Sequence, residues 1–423
     1  MISDSDRPTH QHVTGTISTD KNMENTPRGE RIHIGIYGRC NSGKSSLINA
    51  LTGQQISVVS DTAGTTTDPV NKSMEMPGTG AVTLIDTAGI DDRTALGTQR
   101  MEQTLRAADK TDVAIIVCTD SSWEYESEWH RKFQERNTPV IVVLNKTDRL
   151  SDPDAVCAEL KAKTGIMPIK TCSTTGEGTA LLQERIAEVC HQTEKESSIT
   201  GDLAAKGDTV MLIMPQDSQA PHGRLILPQV QTIRELLDKG CVTICTTPES
   251  LESGLGSLSA PPRLAITDSQ VFGYVSRMLP EETMLTSFSV LLANRKGDIA
   301  TFVKGAEAIG RLNENSRVLI AEACTHAPAT EDIGRVKIPK LLRQRAGQGL
   351  RIDVTAGSDF PNDISSYDLI IHCGACMFNR KFVLSRIATA KEHGIPITNY
   401  GIAIAYLNGI LEKVVYPGMK PAK

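Results

Sequence analysis

Residues Gly38-Arg39-Cys40-Asn41-Ser42-Gly43-Lys44-Ser45 have the types and spacing of a loop that grips phosphates. Two glycines let backbone N–H groups turn toward an anion. A helix opening at Lys44 would add a favourable dipole. In such a loop Lys44 reaches the β- and γ-phosphates and the hydroxyl of Ser45 takes magnesium, with Asn41, Ser42 and Ser46 beside them. Alone, the pattern leaves the base open between adenine and guanine.

Two further motifs narrow the choice. Asp86-Thr87-Ala88-Gly89 places Asp86 to hold magnesium and the Gly89 amide to sense a γ-phosphate. In Asn145-Lys146-Thr147-Asp148 the aspartate accepts hydrogen bonds from a guanine ring. Adenine presents different edge groups, and a buried polar group left unpaired costs about 1–3 kcal/mol. Between the first two motifs lies the segment 61–68. There Thr66 is the favoured threonine to complete the magnesium shell when GTP is bound, with Thr65 and Thr67 also open. Ser173-Thr174 sits where a base-contacting loop is expected.

These residues need a sheet to position them. Short apolar runs rich in β-branched residues occur at 32–37, 82–85, 113–118 and 140–144, with helical patterns at 44–51 and 180–189. The alternation predicts a parallel sheet wrapped by helices. Residues 191–208 are polar and read as a linker. A second α/β segment has strands at 210–214, 242–245 and 264–266, and an amphipathic helix at 229–239 that stops at Gly240. A third has strands at 318–321, 352–355, 369–371 and 396–399, with helices at 337–345, 380–393 and 402–414. The fold class is therefore α/β in three domains. A polar tail occupies 1–30, a phosphate-loop domain 31–195, a second domain 205–312 and a third 313–423.

Cysteine and histidine cluster in the third domain. Cys324-Thr325-His326 and His372-Cys373-Gly374-Ala375-Cys376 each follow an apolar run. In open α/β sheets, ligands sit outside the carboxyl ends of strands. Buried structural cysteines would not explain two clusters, and a redox pair of Cys373 and Cys376 would leave Cys324 and His326 idle. A Cys₃His zinc site is chemically sound. So is an iron–sulfur cluster on three thiolates with one iron open to a weak ligand. Local spacing does not separate zinc from iron. Elsewhere, Cys241 and Cys245 fall on one face of a strand and read as core, as do Cys118 and Cys172. Trp123, Tyr125 and Trp129 fall on one helical stretch and read as a partner surface or, at least as well, as a partly exposed packing patch.

The chain has 423 residues and a net charge of -5. That balance argues against general nucleic-acid binding, which rests on neutralising phosphates. No apolar run approaches a membrane span, and the first 30 residues lack a signal peptide's apolar core. The expectation is a soluble cytoplasmic protein with no membrane partner. Its ten cysteines are then thiols or metal ligands instead of disulfides.

From Arg31 to about Val189 the motifs resemble the TrmE/Era-like GTPases, the branch that includes tRNA-modifying and ribosome-assembly members. That resemblance implies GTP hydrolysis with Lys44, Asn41 and Thr66 as catalytic residues. Ile90 stands where Ras-like proteins carry a water-orienting glutamine. Asn41 matches an asparagine that helps bind potassium in potassium-dependent members. The ion would take over transition-state charge that an arginine finger handles elsewhere, a role worth roughly 10³–10⁵ in rate.

Cys-x-His, a 45-residue spacer and His-Cys-x-x-Cys, attached behind such a domain, resemble the HydF family of FeFe-hydrogenase maturation GTPases. So does Ala220-Pro221-His222-Gly223-Arg224-Leu225-Ile226-Leu227-Pro228-Gln229. The resemblance covers nearly the whole chain after the tail. It implies a 4Fe-4S cluster on Cys324, Cys373 and Cys376, with His326, His372 or an outside ligand at the fourth site. It also implies a homodimer formed by the second domain, and a scaffold and carrier role for the two-iron subcluster precursor. Two radical-SAM maturation enzymes and the apo FeFe-hydrogenase would be the partners. Two rivals remain: a tRNA- or ribosome-directed GTPase with structural zinc, and a zinc-stabilised GTP-dependent adaptor. Against the former stand the negative charge and the lack of a basic, aromatic-interleaved segment.

Overall fold

The computed structural model describes residues 26–53, 70–91, 95–194, 198–215, 225–323, 333–357, 359–361, 363–375 and 377–418. Thr66, Cys324, His326 and Cys376 fall outside these residues, as do the tail to residue 25 and the segment 216–224.

The first domain runs β1 (Ile32–Gly38), α1 (Lys44–Leu51), β2 (Val70–Met76), β3 (Gly80–Asp86), α2 (Ala95–Ala108), β4 (Val113–Cys118), α3 (Glu124–Glu135), β5 (Val140–Leu144), α4 (Pro153–Thr164), β6 (Ile169–Lys170) and α5 (Thr179–Glu194). Its six strands lie in the order β2-β3-β1-β4-β5-β6. All pairs are parallel except β2 with β3. Every residue of β4 is buried, as expected for a central parallel strand covered on both faces. Local chemistry sets the helix ends. Asp152 caps α4 by accepting from the Ala155 N–H, a proline follows it, and Gly165 closes the helix at φ 74°. Trp129 is buried, stacked on Tyr37 with ring centroids 5.2 Å apart, so the aromatic patch of α3 is packing.

The expected linker at 191–208 is helix at its start and core at its end. Helix α5 extends to Glu194, and Ile199, Leu203 and Ala204 are buried in the second domain. Glu235 grips this entry segment, accepting from Ile199 N at 2.6 Å, Thr200 N at 2.8 Å and Ser198 Oγ at 2.9 Å. A few apolar residues spaced through a polar stretch suffice to dock it once a carboxylate satisfies its backbone.

The second domain comprises β7 (Thr209–Ile213), α6 (Leu227–Asp238), β8 (Val242–Thr246), α7 (Leu251–Gly256), β9 (Leu264–Thr267), α8 (Phe272–Met278), β10 (Met284–Ser287) and α9 (Phe288–Lys296). Its parallel strands are ordered β10-β9-β7-β8. The cysteines expected to share a buried face part company here. Cys241 is buried just before β8 and donates to Ala205 O, whereas Cys245 is exposed because β8 is the sheet's edge.

Next come α10 (Ile299–Ala306), β11 (Arg317–Ala321), α11 (Ile338–Ala346), β12 (Arg351–Thr355), β13 (Leu369–His372), α12 (Arg380–Glu392), β14 (Ile397–Asn399) and α13 (Tyr400–Leu407). This sheet is parallel, ordered β12-β11-β13-β14. Helix α10 lies against β14 so closely that a Cβ on Gly305 would sit 1.9 Å from the Ile397 carbonyl oxygen. The helix expected over 402–414 is shorter. Asn399 caps it by accepting from Ile402 N, and it stops at Leu407. Beyond it Val414 pairs beside Leu285, and Val415 N donates to Leu285 O at 2.9 Å. The chain thus returns to the second sheet, and one apolar cluster spans the second and third sheets.

Lys296, at the end of α9, ties the segment just ahead of β1 to the second and third domains. Its buried ammonium donates to Gly29 O at 2.6 Å and Phe378 O at 3.0 Å, and pairs with Glu30 at 2.8 Å. Among the described residues no helix is long and apolar enough to cross a membrane.

Candidate functional site

The phosphate loop leaves the carboxyl end of β1 and enters α1 at Lys44. Its backbone needs glycine at both ends. Gly38 has φ 153°, and a Cβ there would lie 2.5 Å from Val117 O. Gly43 has φ 91°, and a Cβ there would lie 2.4 Å from Asn145 Nδ2. Asn41 also takes a left-handed conformation, at φ 61°. Lys44 Nζ donates to Gly38 O at 2.9 Å and Arg39 O at 3.0 Å. Burial pushes its pKa below the ordinary lysine value, with Asp86 opposing. Ser45 Oγ donates to Asp86 Oδ2 at 2.5 Å. A hydroxyl and a carboxylate oxygen therefore meet at the head of α1, a donor set suited to magnesium.

Asp91 holds the loop from the far side, accepting from the Cys40 N–H at 2.6 Å. Burial opposes its charge, but the Cys40 hydrogen bonds outweigh it and keep the pKa below the usual carboxylate value. Gly89 lies under Cys40, where a Cβ would meet the thiol at 2.2 Å. Ile90 is buried, and its N–H donates to Gly38 O at 3.2 Å. Arg39 is clamped at 2.8 Å by both Asp120 and Glu126, the latter fully buried on α3. Motif reading missed Asp91 and the Arg39 clamp. The first aspartate after the Gly89 motif was the one local signal available.

The base end of the cleft is built from the turns after β5 and β6. Asn145 Nδ2 donates to Ser42 O at 3.0 Å. Its Oδ1 accepts from Thr171 Oγ1 at 3.1 Å and Ser173 Oγ at 2.8 Å. Lys146 Nζ donates to Asn41 O. The buried thiol of Cys172, expected to be plain core, donates to Asp148 Oδ1 at 3.2 Å. Asn41, Gly43, Lys44, Ser45, Ser46, Asn145, Lys146, Asp148, Arg149, Ser173 and Thr174 line a cleft of about 580 Å³. Gly38, Ser42, Asp86 and Gly89 are not among its lining residues.

The second chemical locus lies at the carboxyl ends of β11 and β13. Cys373 Sγ accepts from Ala323 N at 3.0 Å and Ala375 N at 3.4 Å, with Ala375 turned to φ 50°. Two N–H donors aimed at one sulfur are the kind of outer-shell support that suits a metal-bound cysteine. Among the described residues, no three His, Cys, Asp or Glu side chains converge on one point. His372 has both ring nitrogens engaged. Nδ1 lies 2.7 Å from Cys373 O and Nε2 3.0 Å from Arg386 Nη1. A carbonyl only accepts and a guanidinium only donates, so Nδ1 carries the proton. Burial, reinforced by the Arg386 charge, pushes the His372 pKa down to about 3. As placed, both nitrogens of His372, one of the three alternatives for the fourth site, are taken by these partners. Arg386 is itself buried, donating to Gly357 O at 2.9 Å and stacking on Phe360 and Phe382.

Three family models match successive parts of the chain. Residues 33–146 match the 50S ribosome-binding GTPase family. Residues 199–297 match the hydrogen maturase F dimerization domain, and residues 300–417 the hydrogen maturase F tetramerization domain. GTPase Der of Wolinella succinogenes is 34% identical over 199 residues, covering 45% of this chain and 42% of its own length. The tRNA modification GTPase MnmE of a Synechococcus species is 33% identical over 165 residues, 36% of this chain and 35% of its own. The chain spans less than half the length of these curated relatives. Among solved structures, the G domain of the T. maritima FeoB iron transporter is 26% identical, with a TM-score of 0.31. It covers 38% of this chain and 98% of its own.

Proposed function

Because the chain belongs to the hydrogen maturase F family, carrying that family's two self-association domains behind a GTPase domain, we propose that it works in hydrogenase maturation as a GTP-hydrolysing, self-associating iron–sulfur scaffold. The observation that carries this reading is the pairing of two loci on one chain: the cleft of Lys44 and Asp148, and a Cys373 thiol cradled by backbone N–H groups.

In the nucleotide cleft, Lys44 and the glycine-shaped backbone bind the phosphates, while Ser45 and Asp86 hold magnesium. Asp148 selects guanine, kept in place by Cys172. Buried Ile90 cannot orient water, so turnover is slow and leans on a potassium ion beside Asn41. Thr66 closes the magnesium shell in the GTP state.

In the third domain, Cys324, Cys373 and Cys376 hold a 4Fe-4S cluster, with His326 or an outside ligand at the remaining iron. The cluster supplies a site for the two-iron precursor, and the chain delivers that precursor to the apo FeFe-hydrogenase after contact with the radical-SAM maturation enzymes. GTP acts as a switch, and it does so only if its two states bind partners with different affinity. Anaerobic purification with iron, sulfide and zinc analysis tests the cluster; a colourless protein with one zinc per chain after reconstitution would overturn it. Turnover measured in KCl and in NaCl tests the potassium role, and equal rates would remove it.

A further inference from the structure

Ser385 and Arg386 are neighbours on α12, and each serves a different locus. Ser385 Oγ donates to Asp109 Oδ1 of the GTPase domain at 2.9 Å. Arg386 Nη1 donates to His372 Nε2, at the root of the Cys373 loop, at 3.0 Å. Asn379, the cap of the same helix, donates to Lys110 O at 2.6 Å and Asp112 Oδ2 at 2.8 Å. Lys381 Nζ donates to Arg136 O at 3.1 Å and Asn137 O at 2.7 Å. The Lys110 ammonium lies 5.3 Å from the Phe378 ring and 5.8 Å from that of Phe382. The first turns of α12 are thus held by the GTPase domain while the same helix holds the cysteine loop.

The gripping turn, 109–112, is fixed by two elements that both run to the nucleotide. It directly follows α2, whose 14 residues span about 21 Å. The other end of α2 starts at Ala95, four positions beyond Asp91, which holds the phosphate loop. Asp112 also accepts from His33 N at 2.8 Å, at the start of the strand that ends in Gly38. Close-packed elements shift as bodies and switch between discrete arrangements instead of stretching. Arg386 cannot follow a shift of α12 and leave His372 behind, because its buried guanidinium would lose a partner.

We propose that α12 is the transmission element by which the nucleotide state of the GTPase domain sets the accessibility of Cys373. The idea rests on the functional reading above for the role of Cys373, and on geometry alone for the route.

The test uses the full-length apo protein, saturated with magnesium and either GDP or a non-hydrolysable GTP analogue. Alkylation of Cys373 by iodoacetamide is followed by peptide mass spectrometry. The two rates are expected to differ about fivefold or more, the low end of ordinary coupling between sites. In Asn379→Ala/Ser385→Ala the ratio falls to about one, while fluorescent-nucleotide affinity stays unchanged, as expected when only the link is cut. Lys381→Ala, a surface change, lowers the ratio part-way and serves if the double variant does not fold. Equal rates in the wild type, or a wild-type ratio in the variants, would overturn the proposal. Iron and sulfide analysis of the same proteins after anaerobic reconstitution separates the two ideas. Loss of the cluster reading leaves the ratio standing, and equal rates in a protein that binds iron and sulfide sink only the transmission route.

Discussion

Asn145 and Ser42 lie 103 positions apart, yet the Asn145 side-chain amide donates to the Ser42 carbonyl at 3.0 Å. With Thr171 and Ser173 donating to its oxygen, this fully buried side chain joins the phosphate loop to both turns of the base pocket. Its hydrogen bonds hold the walls of the cleft together.

Asn145→Ala should therefore weaken GTP and GDP alike. Losing these buried hydrogen bonds costs about 2 kcal/mol, or about thirtyfold in Kd. Fluorescent-nucleotide titration measures it. A change in the ratio of GTP to GDP affinity would mean that Asn145 acts on the γ-phosphate instead.

His372→Asn should keep its iron after reconstitution, whereas Cys373→Ser should lose it. Asparagine retains an N–H close to where Nδ1 donates to Cys373 O. Iron loss in a folded His372→Asn protein would identify the ring as a ligand. The pH dependence has a definite sign. The folded pKa, about 3, lies below the ordinary 6.5, so the unfolded chain takes up the proton first. Stability from this residue is full above about 6.5 and declines as pH falls toward 3. Comparing wild-type and His372→Asn melting across that range isolates the contribution.

Glu235 makes a second acid-sensitive point. Burial opposes its charge, but hydrogen bonds from Thr200, Ile199 and Ser198 outweigh it and hold its pKa at about 2, against an ordinary 4.5. A depressed carboxylate stabilises above its unfolded pKa, and that contribution disappears as pH falls from about 4.5 to about 2. Glu235→Gln should cost about 1.5–3 kcal/mol at neutral pH and flatten the acid limb of the melting profile. An unchanged limb would show that the entry segment at 198–200 is held by other contacts.

Gly305→Ala should lower stability by about 3 kcal/mol, because the new methyl overlaps the Ile397 backbone and α10 must lift from β14. Gly256→Ala, with nothing within 4 Å of its Cβ, is the control and should stay within about 0.5 kcal/mol. Thermal melting of both variants distinguishes a local clash from a general intolerance of alanine.

The parts legible from sequence were those whose chemistry is local. The phosphate loop needs positive φ at Gly38 and Gly43, so the requirement is written in neighbouring residue types. Fully buried parallel strands such as β4 announce themselves as unbroken apolar runs. What stayed hidden depends on pairs brought together by tertiary packing. Nothing near His372 signals Arg386, fourteen positions on, as the group that consumes its second nitrogen. Nothing near Lys296 signals Gly29 and Phe378. Cys245 differs from Cys241 only because β8 is an edge, a property of strand order and not of spacing. The polarity of 191–208 concealed a docked segment, because Glu235 supplies from outside the acceptors its backbone requires.

The return of Val414 and Val415 to Leu285 also bears on how the molecule is made. On a ribosome adding about 5–20 residues per second, β10 emerges long before its last neighbour, some 130 residues and about 6–26 s later. During that interval the second sheet has an unfinished border, and the apolar cluster it shares with the third sheet is half built. The GTPase domain can complete itself early in synthesis, but the two domains behind it must finish as a pair. Nascent chains stalled before residue 414 should accordingly be the species that draw chaperones or aggregate.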